Sequence, residues 1–448
     1  MNAFLRLLPC CIILAILFTG CTQTAETEQT KIKVMYDNEY SFQSEYGNVF
    51  AVEHPNIELE VSEITVGQYE PGGINKLKKE LEQEKPDVLY LTPEQYKELL
   101  REGKLTALDG LIKTSNYSLN SFHSGILDIL KQMGDGELFG LAPIFDASAL
   151  FYNKELFDRY HIEYPTDQMT WDQVLQLAQR FPGKDESGEH LYGLSLQFWE
   201  STPSGLLERL NGIEGLADYD FKQKKILIKT DANRKNAEKA VALFEKEVIP
   251  YYEIQNGMIE SDDVEKEPFI TGNSAMYLGS FTFFNTLVRL TAENGNKMQW
   301  DMVTEPINPQ FPDQAVSFSL IKIFAINAES SNQQAAWQFI QFANSDSLAK
   351  LKSKSNFFLQ SRTGTMNEKN GHSLEPFYKL KFTQSFSYPE ENLQLFLREY
   401  GALKRAQFKE VLDHNKTLNQ ALETIEAEGQ LLLGAASLQP NDSEQQAR

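Results

Sequence analysis

Six histidines, three cysteines and one acidic run are the groups in this chain with a reach into catalytic or metal chemistry, and their spacing argues against it. His54, His123, His161, His190, His372 and His414 include no pair at the i, i+4 spacing that puts two imidazoles on one helical face for zinc. Cys10, Cys11 and Cys21 all fall in the first 21 residues, so the rest of the chain can form no disulfide and no thiolate metal site. Glu260-Ser-Asp-Asp-Val-Glu-Lys-Glu267 lacks the glycine and ligand spacing of a calcium loop and reads as a solvated face. No G-x-S-x-G elbow, phosphate-binding loop or G-x-G-x-x-G turn occurs. The two carboxylates of a glycoside hydrolase can lie far apart in a chain, but nothing singles out such a pair here. The expectation is therefore no catalytic residue, no metal and no cofactor.

Composition sets the class. The chain has 448 residues, of which 41% are hydrophobic and 23% charged. That is too apolar for disorder and enough for a large core. At roughly 100–200 residues per domain, two large domains are the default. The net charge of -21 argues against a nucleic-acid or anionic-lipid binding surface, because both need clustered cations.

The first residues read as an address. Met1 to Arg6 gives a positive start, Leu7 to Phe18 is almost wholly apolar, and Thr19-Gly20-Cys21 follows. This is the layout of an export signal. Its apolar run of 12 residues is too short for a bilayer core, which takes about 20 residues. The small-small-Cys ending resembles a bacterial lipobox, with Phe18 where leucine is usual. That implies a lipoprotein signal peptide over 1–20 and acylation (palmitate) at Cys21. Residues 21–30, small, polar and acidic, then form a flexible tether to the extracytoplasmic face of the cell membrane.

Beyond the tether the chain alternates strands and helices. Lys31 to Tyr36 is β-like, Ile57 to Ile64 alternates strictly, and Asp87 to Leu91 is a continuous apolar run. Helical stretches separate them: one running to Val52, Ile74 to Glu84, and a helix opened by Pro93 and closed by Gly103. Such units predict a parallel sheet covered by helices. Thr170-Trp-Asp-Gln173 and Thr417-Leu-Asn-Gln420 are capping boxes, and Asp231 is placed to cap a helix with an Ala237, Ala240, Val241, Phe244, Val248 stripe. Residues 435–448 are polar without a stripe and read as a disordered tail.

Three segments in order carry a family resemblance. Phe139-Gly-Leu-Ala-Pro-Ile-Phe-Asp-Ala-Ser-Ala-Leu-Phe-Tyr-Asn-Lys-Glu-Leu-Phe157, followed by Pro165 and Thr170-Trp171-Asp172, resembles the crossover segment of the extracellular solute-binding proteins of ATP-binding-cassette importers. Phe269-Ile-Thr-Gly-Asn-Ser-Ala-Met-Tyr-Leu-Gly-Ser-Phe281 resembles that family's second motif, and Phe324-Ala-Ile-Asn-Ala with Ala335-Ala336-Trp337-Gln-Phe339-Ile340 its third. The maltodextrin-binding proteins look like the nearest well-known branch. The resemblance implies an α/β, two-lobed periplasmic-binding-protein-like (type II) fold with the ligand cleft between the lobes. It further implies lobe I over 31–142 plus 309–347 and lobe II over 143–308 plus 348–434, with crossings near Pro143 to Tyr152, Asp301 to Asn308 and Asn344 to Lys352.

A sugar presents a flat apolar face and a rim of hydroxyls, so it calls for aromatic rings and planar polar groups. On lobe I, Tyr36, Asp37 and Asn38 end the first strand and Thr92 ends the third, where both would open into the cleft. Helix capping is the competing role for these residues. On the crossover, Phe145 and Asp146 are candidates, Asp146 because the maltodextrin-binding relative also has a carboxylate there. A hinge hydrogen bond is its alternative. Phe198 and Trp199 resemble the place where sugar binders put a stacking aromatic, and Phe281 stands where the family usually has tryptophan. Arg362 completes the set. Core packing competes for each ring.

The function implied is capture of a small solute by hinge closure and its delivery to a membrane permease, and aromatics with carboxylates favour a carbohydrate or oligosaccharide as that solute. The chain is expected to act as a monomer, with no nucleic-acid partner. Two rivals stand beside it: a lipoprotein sensor presenting ligand to a membrane receptor or histidine kinase, and a secreted polysaccharide hydrolase.

Overall fold

The computed structural model describes residues 29–64, 73–255, 258–259, 264–293, 298–315, 317–354, 357–382 and 391–436. The signal segment, Cys21 and most of the tether lie outside the described residues, as do residues 437–448. Among the described residues no helix is long and apolar enough to cross a membrane.

The first three strands of the first sheet pair in parallel as the alternation predicts, but the sheet is mixed, because its other two pairings, made by Ile323–Ile326, are antiparallel. β1 (Thr30–Tyr36) turns Ile32 and Val34 into the core and Lys31 and Lys33 outward. β2 (Ile57–Glu63) lies parallel to it, with Lys31 opposite Glu58 and Lys33 opposite Glu60. Lys31 Nζ reaches the Glu60 carboxylate at 2.8 Å, so the cross-strand charges match on the solvent face. β3 (Val88–Leu91) is buried on both faces and pairs parallel with β1 on its other side. Three helical segments return the chain from β1 to β2. Glu39–Phe42 and Asn48–Glu53 are α-helical, and Gln43–Gly47 between them is a π-helical turn. α1 (Pro93–Arg101) follows β3 directly from a complete Thr92–Gln95 capping box.

β4 (Gly140–Leu141) ends the first run, and Pro143 leads into β5 (Ile144–Asn153). β5 serves two neighbourhoods. Its second half pairs antiparallel with β6 (Met276–Ser280) and β7 (Trp300–Thr304). Its first half pairs with β8 (Phe318–Leu320) and β10 (Leu359–Gln360). β9 (Ile323–Ile326), two residues after β8, inserts between β3 and β4. The first sheet therefore runs β2-β1-β3-β9-β4, and the second is β6-β5-β7. The continuous chain of β8 and β9, together with β5, links the two lobes.

Helices cover both sheets. α2 (Trp171–Ala178) starts from the Thr170–Gln173 capping box, as its sequence requires. α3 (Pro203–Glu214) is capped by Thr202. α4 (Asp231–Glu245) is capped by Thr230, not Asp231: a threonine hydroxyl one residue earlier takes the Asn233 N–H and leaves Asp231 in the first turn, where its charge suits the helix dipole. α5 (Phe281–Glu293) follows β6 with no intervening loop. α6 (Gln333–Ala343) and α7 (Asp346–Lys352) belong to lobe I and its exit.

The segment expected to lie wholly in lobe II divides its contacts. α8 (Glu391–Leu412) and α9 (Leu418–Ala436) pack on lobe II, where α8 buries Lys404 between Asp218 (2.7 Å) and Glu208 (2.8 Å). Phe382 instead stacks on His123 and Phe318, beside Phe145.

One buried acid in lobe II has a measurable consequence. Glu267 caps the short helix Pro268–Thr271 through an Oε2 contact with the Phe269 N–H (2.5 Å), and its Oε1 is shut off from solvent. Burial pushes the carboxyl up to about 7, more than the capping bonds pull it down. A folded-state value above the unfolded one means the stabilising contribution is complete below pH ~4.5 and is lost as pH rises through ~7. Glu267→Gln keeps the cap and removes the charge. The variant is therefore expected to match the wild type near pH 4.5 and to exceed it by ~2–3 kcal/mol at pH 8. Melting curves across that range check this, and a pH-independent difference would refute it.

Candidate ligand-binding site

The carboxyl ends of β1 and β3 and the start of β9 form one edge of lobe I. Tyr36 closes β1, but its ring is buried, stacked on Tyr90 at 4.4 Å and edge-on to Phe42 at 5.3 Å. Asn38 caps Glu39–Phe42 by accepting the Ser41 N–H (2.8 Å). Thr92 is buried in its capping box. Of the four lobe I candidates, Asp37 and Asn38 are exposed, and Asp37 pairs with Lys322 Nζ at 3.3 Å.

Four residues at this edge, Lys322, Glu45, Tyr46 and Lys352, have no signal in the local sequence. Lys322 lies between β8 and β9, with its Nζ 5.0 Å from the Tyr90 ring centroid. The π-helical turn delivers Glu45 and Tyr46, as a wider helical turn at a functional site often does. Lys352, the last residue of α7, places its Nζ 3.4 Å above the Tyr46 ring and 3.4 Å from the Glu45 carboxylate. Burial pulls the Lys352 ammonium down to about 8, with Glu45 opposing. The wall is thus two lysine–carboxylate pairs laid over buried tyrosines. It presents paired donors and acceptors, which is what hydroxyl groups need.

The facing edge of lobe II is set by β6. Residues 192–195 run alongside it: Tyr192 bridges Ser274 and Ser195 bridges Tyr277, both in the parallel sense. Phe198 and Trp199 follow in a turn, three and four residues after the bridge to Tyr277. The two rings meet edge-on at 4.5 Å and remain 43% and 53% exposed. Glu200, the next residue, pairs with Arg209 on α3, and Arg209 also donates to the Ser317 hydroxyl at the entry to β8. Ser317 N–H in turn donates to Glu305 (3.0 Å). The ring pair is therefore tied to the crossing strands rather than hung on a free loop.

Asp146 sits on β5. Its Oδ1 accepts from the Phe281 N–H (2.9 Å) and the Ala147 N–H (3.0 Å), and its Oδ2 from the Thr282 hydroxyl (3.2 Å). Burial raises its carboxyl and the bonds from Ser280, Phe281, Thr282 and Ala147 resist that. The carboxylate thus works as the cap of α5, the hinge bond that was the alternative reading.

The structure places the other three candidates inside. Phe145 is fully buried between His123, Tyr378 and Phe382, because its position on β5 faces the packing between the lobes. Phe281 opens α5 and turns its ring into Phe284 and Phe377, so no face is left for a ligand. Arg362 is 3% exposed and spends its guanidinium on Asn344, Ser118, Ser121 and Tyr117. Among the described residues no cluster of three or more His, Cys, Asp or Glu could hold a metal ion.

The comparisons with known proteins agree with this architecture. A sugar-binding protein, MalE, from Xanthomonas citri superposes with a TM-score of 0.62 at 15% identity over 91% of this chain and 98% of that one. A cyclo/maltodextrin-binding protein complexed with maltotetraose gives a TM-score of 0.62 at 16% identity over 92% of this chain and 98% of its own. An ABC substrate-binding protein of Listeria monocytogenes, in complex with cycloalternan, gives 0.58 at 18% identity over 91% of this chain and 99% of its own. At these identities the likeness is one of fold: two α/β lobes of the periplasmic-binding-protein type. The family profile described as bacterial extracellular solute-binding protein matches residues 34–350, and the chain belongs to that family.

Proposed function

We propose that the protein is the carbohydrate-capturing component of an ATP-binding-cassette importer, held at the outer face of the cell membrane by acylated Cys21. The observation that carries this is the contrast between the two cleft walls. Lobe II offers an exposed ring pair, Phe198 and Trp199, and lobe I offers the Asp37–Lys322 and Glu45–Lys352 pairs. One wall suits the apolar face of a sugar and the other its hydroxyls. The solved relatives carrying maltotetraose and cycloalternan support the same class.

In this reading lobe I is 31–142 plus 309–352 and lobe II is 143–308 plus 391–434, with residues 357–382 packing on both and with β5 and the β8–β9 chain as hinge. Ligand touching both walls favours the closed form, and the shift is limited by its differential affinity for that form. The closed protein then docks on the permease and releases the sugar unchanged.

A thermal-shift panel of mono- and oligosaccharides tests the proposal. A true ligand at ~100 times its dissociation constant should add ~2.7 kcal/mol to stability. Chromatography of the sugar after incubation should recover it intact. A panel without a stabilising carbohydrate, or the appearance of cleavage products, overturns the proposal.

A further inference from the structure

We propose that Phe357 is a second ring platform of the same cleft, held by Asn285, and that it makes the site one for chains of at least two sugar units. The inference rests on the carbohydrate reading above. Phe357 is 66% exposed, more than either ring of the Phe198–Trp199 pair. Its position follows from the strand it precedes. β10 runs antiparallel to β5 with Leu359 opposite Phe145 and Gln360 opposite Ile144. Phe357 and Phe358 form a bend directly before β10, and the Phe357 carbonyl lies against Asn285 of α5. On the same edge of β5, Ser280 at the end of β6 faces Ser148. Phe357 therefore lies beside the first turns of α5, and the turn that carries Phe198 and Trp199 follows the segment bordering β6, the strand that leads into α5.

The backbone at this ring is fixed. The Phe357 carbonyl accepts from Asn285 Nδ2 (3.1 Å), which also donates to the Phe281 carbonyl (3.1 Å). Asn285 Oδ1 accepts from Lys369 Nζ (2.8 Å), supplied by the hairpin of Glu368–Lys369 and His372–Ser373. Asn285 is thus a positioning residue, spending both ends of its amide on protein. Leu359 and Gln360, two and three residues on, are buried, so the segment is anchored while its first ring stays in water. A large apolar ring left in water on a fixed backbone gains when a ligand covers it. With rings on both segments, a single sugar unit covers one platform and a chain of units covers both.

The test uses the full-length protein, its Phe357→Ala and Phe357→Trp variants, and calorimetric titration with glucose and xylose and with their maltose, cellobiose and xylobiose oligomer series up to six units. The expected result is that the wild type binds its best oligomer at least tenfold more tightly than the matching monosaccharide. Phe357→Ala should lose about tenfold on the oligomer with little change on the monosaccharide and an unchanged melting temperature in the absence of sugar, and Phe357→Trp should restore binding. Equal oligomer affinity for the wild type and Phe357→Ala overturns the inference and leaves the carbohydrate reading standing. So does a wild type that binds the monosaccharide as tightly. A wild type that binds none of these sugars removes the carbohydrate reading and this inference with it.

Discussion

Arg362→Ala is expected to lower the unfolding free energy by about 3–5 kcal/mol, as loss of one member of a buried charged network does. The guanidinium donates from Nε to the Asn344 carbonyl (2.7 Å), from Nη1 to the Ser118 carbonyl (2.9 Å) and the Ser121 hydroxyl (2.7 Å), and from Nη2 to the Tyr117 hydroxyl (2.6 Å). It lies 4.1 Å above the Phe122 ring and 3.8 Å from the Asp346 carboxylate. One side chain thus fastens three pieces of lobe I: the 117–122 loop, the end of α6 and the start of α7. Alanine leaves those acceptors facing a hole too dry to hydrate them well. Arg362→Lys keeps the charge but replaces a planar fork by a single point, so it is expected to lose at least half as much. Urea denaturation of the three proteins measures this. Sugar affinity of the folded variants should stay near the wild-type value, because the native guanidinium is already committed to protein acceptors. A variant of normal stability that no longer binds sugar would instead make Arg362 a ligand residue.

That case shows where sequence reading stops. A cation near a crossing of the lobes has the right chemistry for a ligand, and nothing local says that four acceptors converge on it. The elements were plainer. β2 follows from its alternation and β1 from its short β-like run, Pro93 marks one helix start, and the Thr170 capping box fixes another because both halves of the motif lie within three residues. The ring pair Phe198–Trp199 was legible as a candidate because it follows a strand-like run, and in the structure both rings stay exposed in a turn just past the segment that borders β6. Phe145 and Phe281 were not separable from such rings by type: both sit in apolar runs, and only packing turns them inward. The lysines of lobe I were out of reach altogether. Lys322 meets Asp37 across 285 residues of chain and Lys352 meets Glu45 across 307, so each pair exists only once the sheet has formed. Glu45 also depends on a π-helical turn, for which periodicity gives no warning.

Asp146→Ala is the second large effect expected, a loss of ~2–4 kcal/mol. Its carboxylate collects two backbone N–H groups and one hydroxyl, and the Phe281 N–H belongs to the first turn of α5, where no intrahelical partner exists. Hydrogen bonds to a charged acceptor contribute about 1.5–3 kcal/mol each at most, and burial of the carboxylate offsets part of that sum. Asp146→Asn separates the cap from the charge. Both backbone N–H groups point at Oδ1, which an amide oxygen replaces, while the Thr282 hydroxyl can accept from the new amide instead of donating. The asparagine variant should therefore stay within ~1 kcal/mol of the wild type and keep its sugar affinity within about threefold. If Asp146→Asn folds normally and loses tenfold or more in affinity, the carboxylate reaches the ligand as well as the helix. If Asp146→Ala costs less than ~1 kcal/mol, α5 does not depend on this cap, and the link from the hinge strand to the helix that bears Asn285 is not what holds that edge of the cleft.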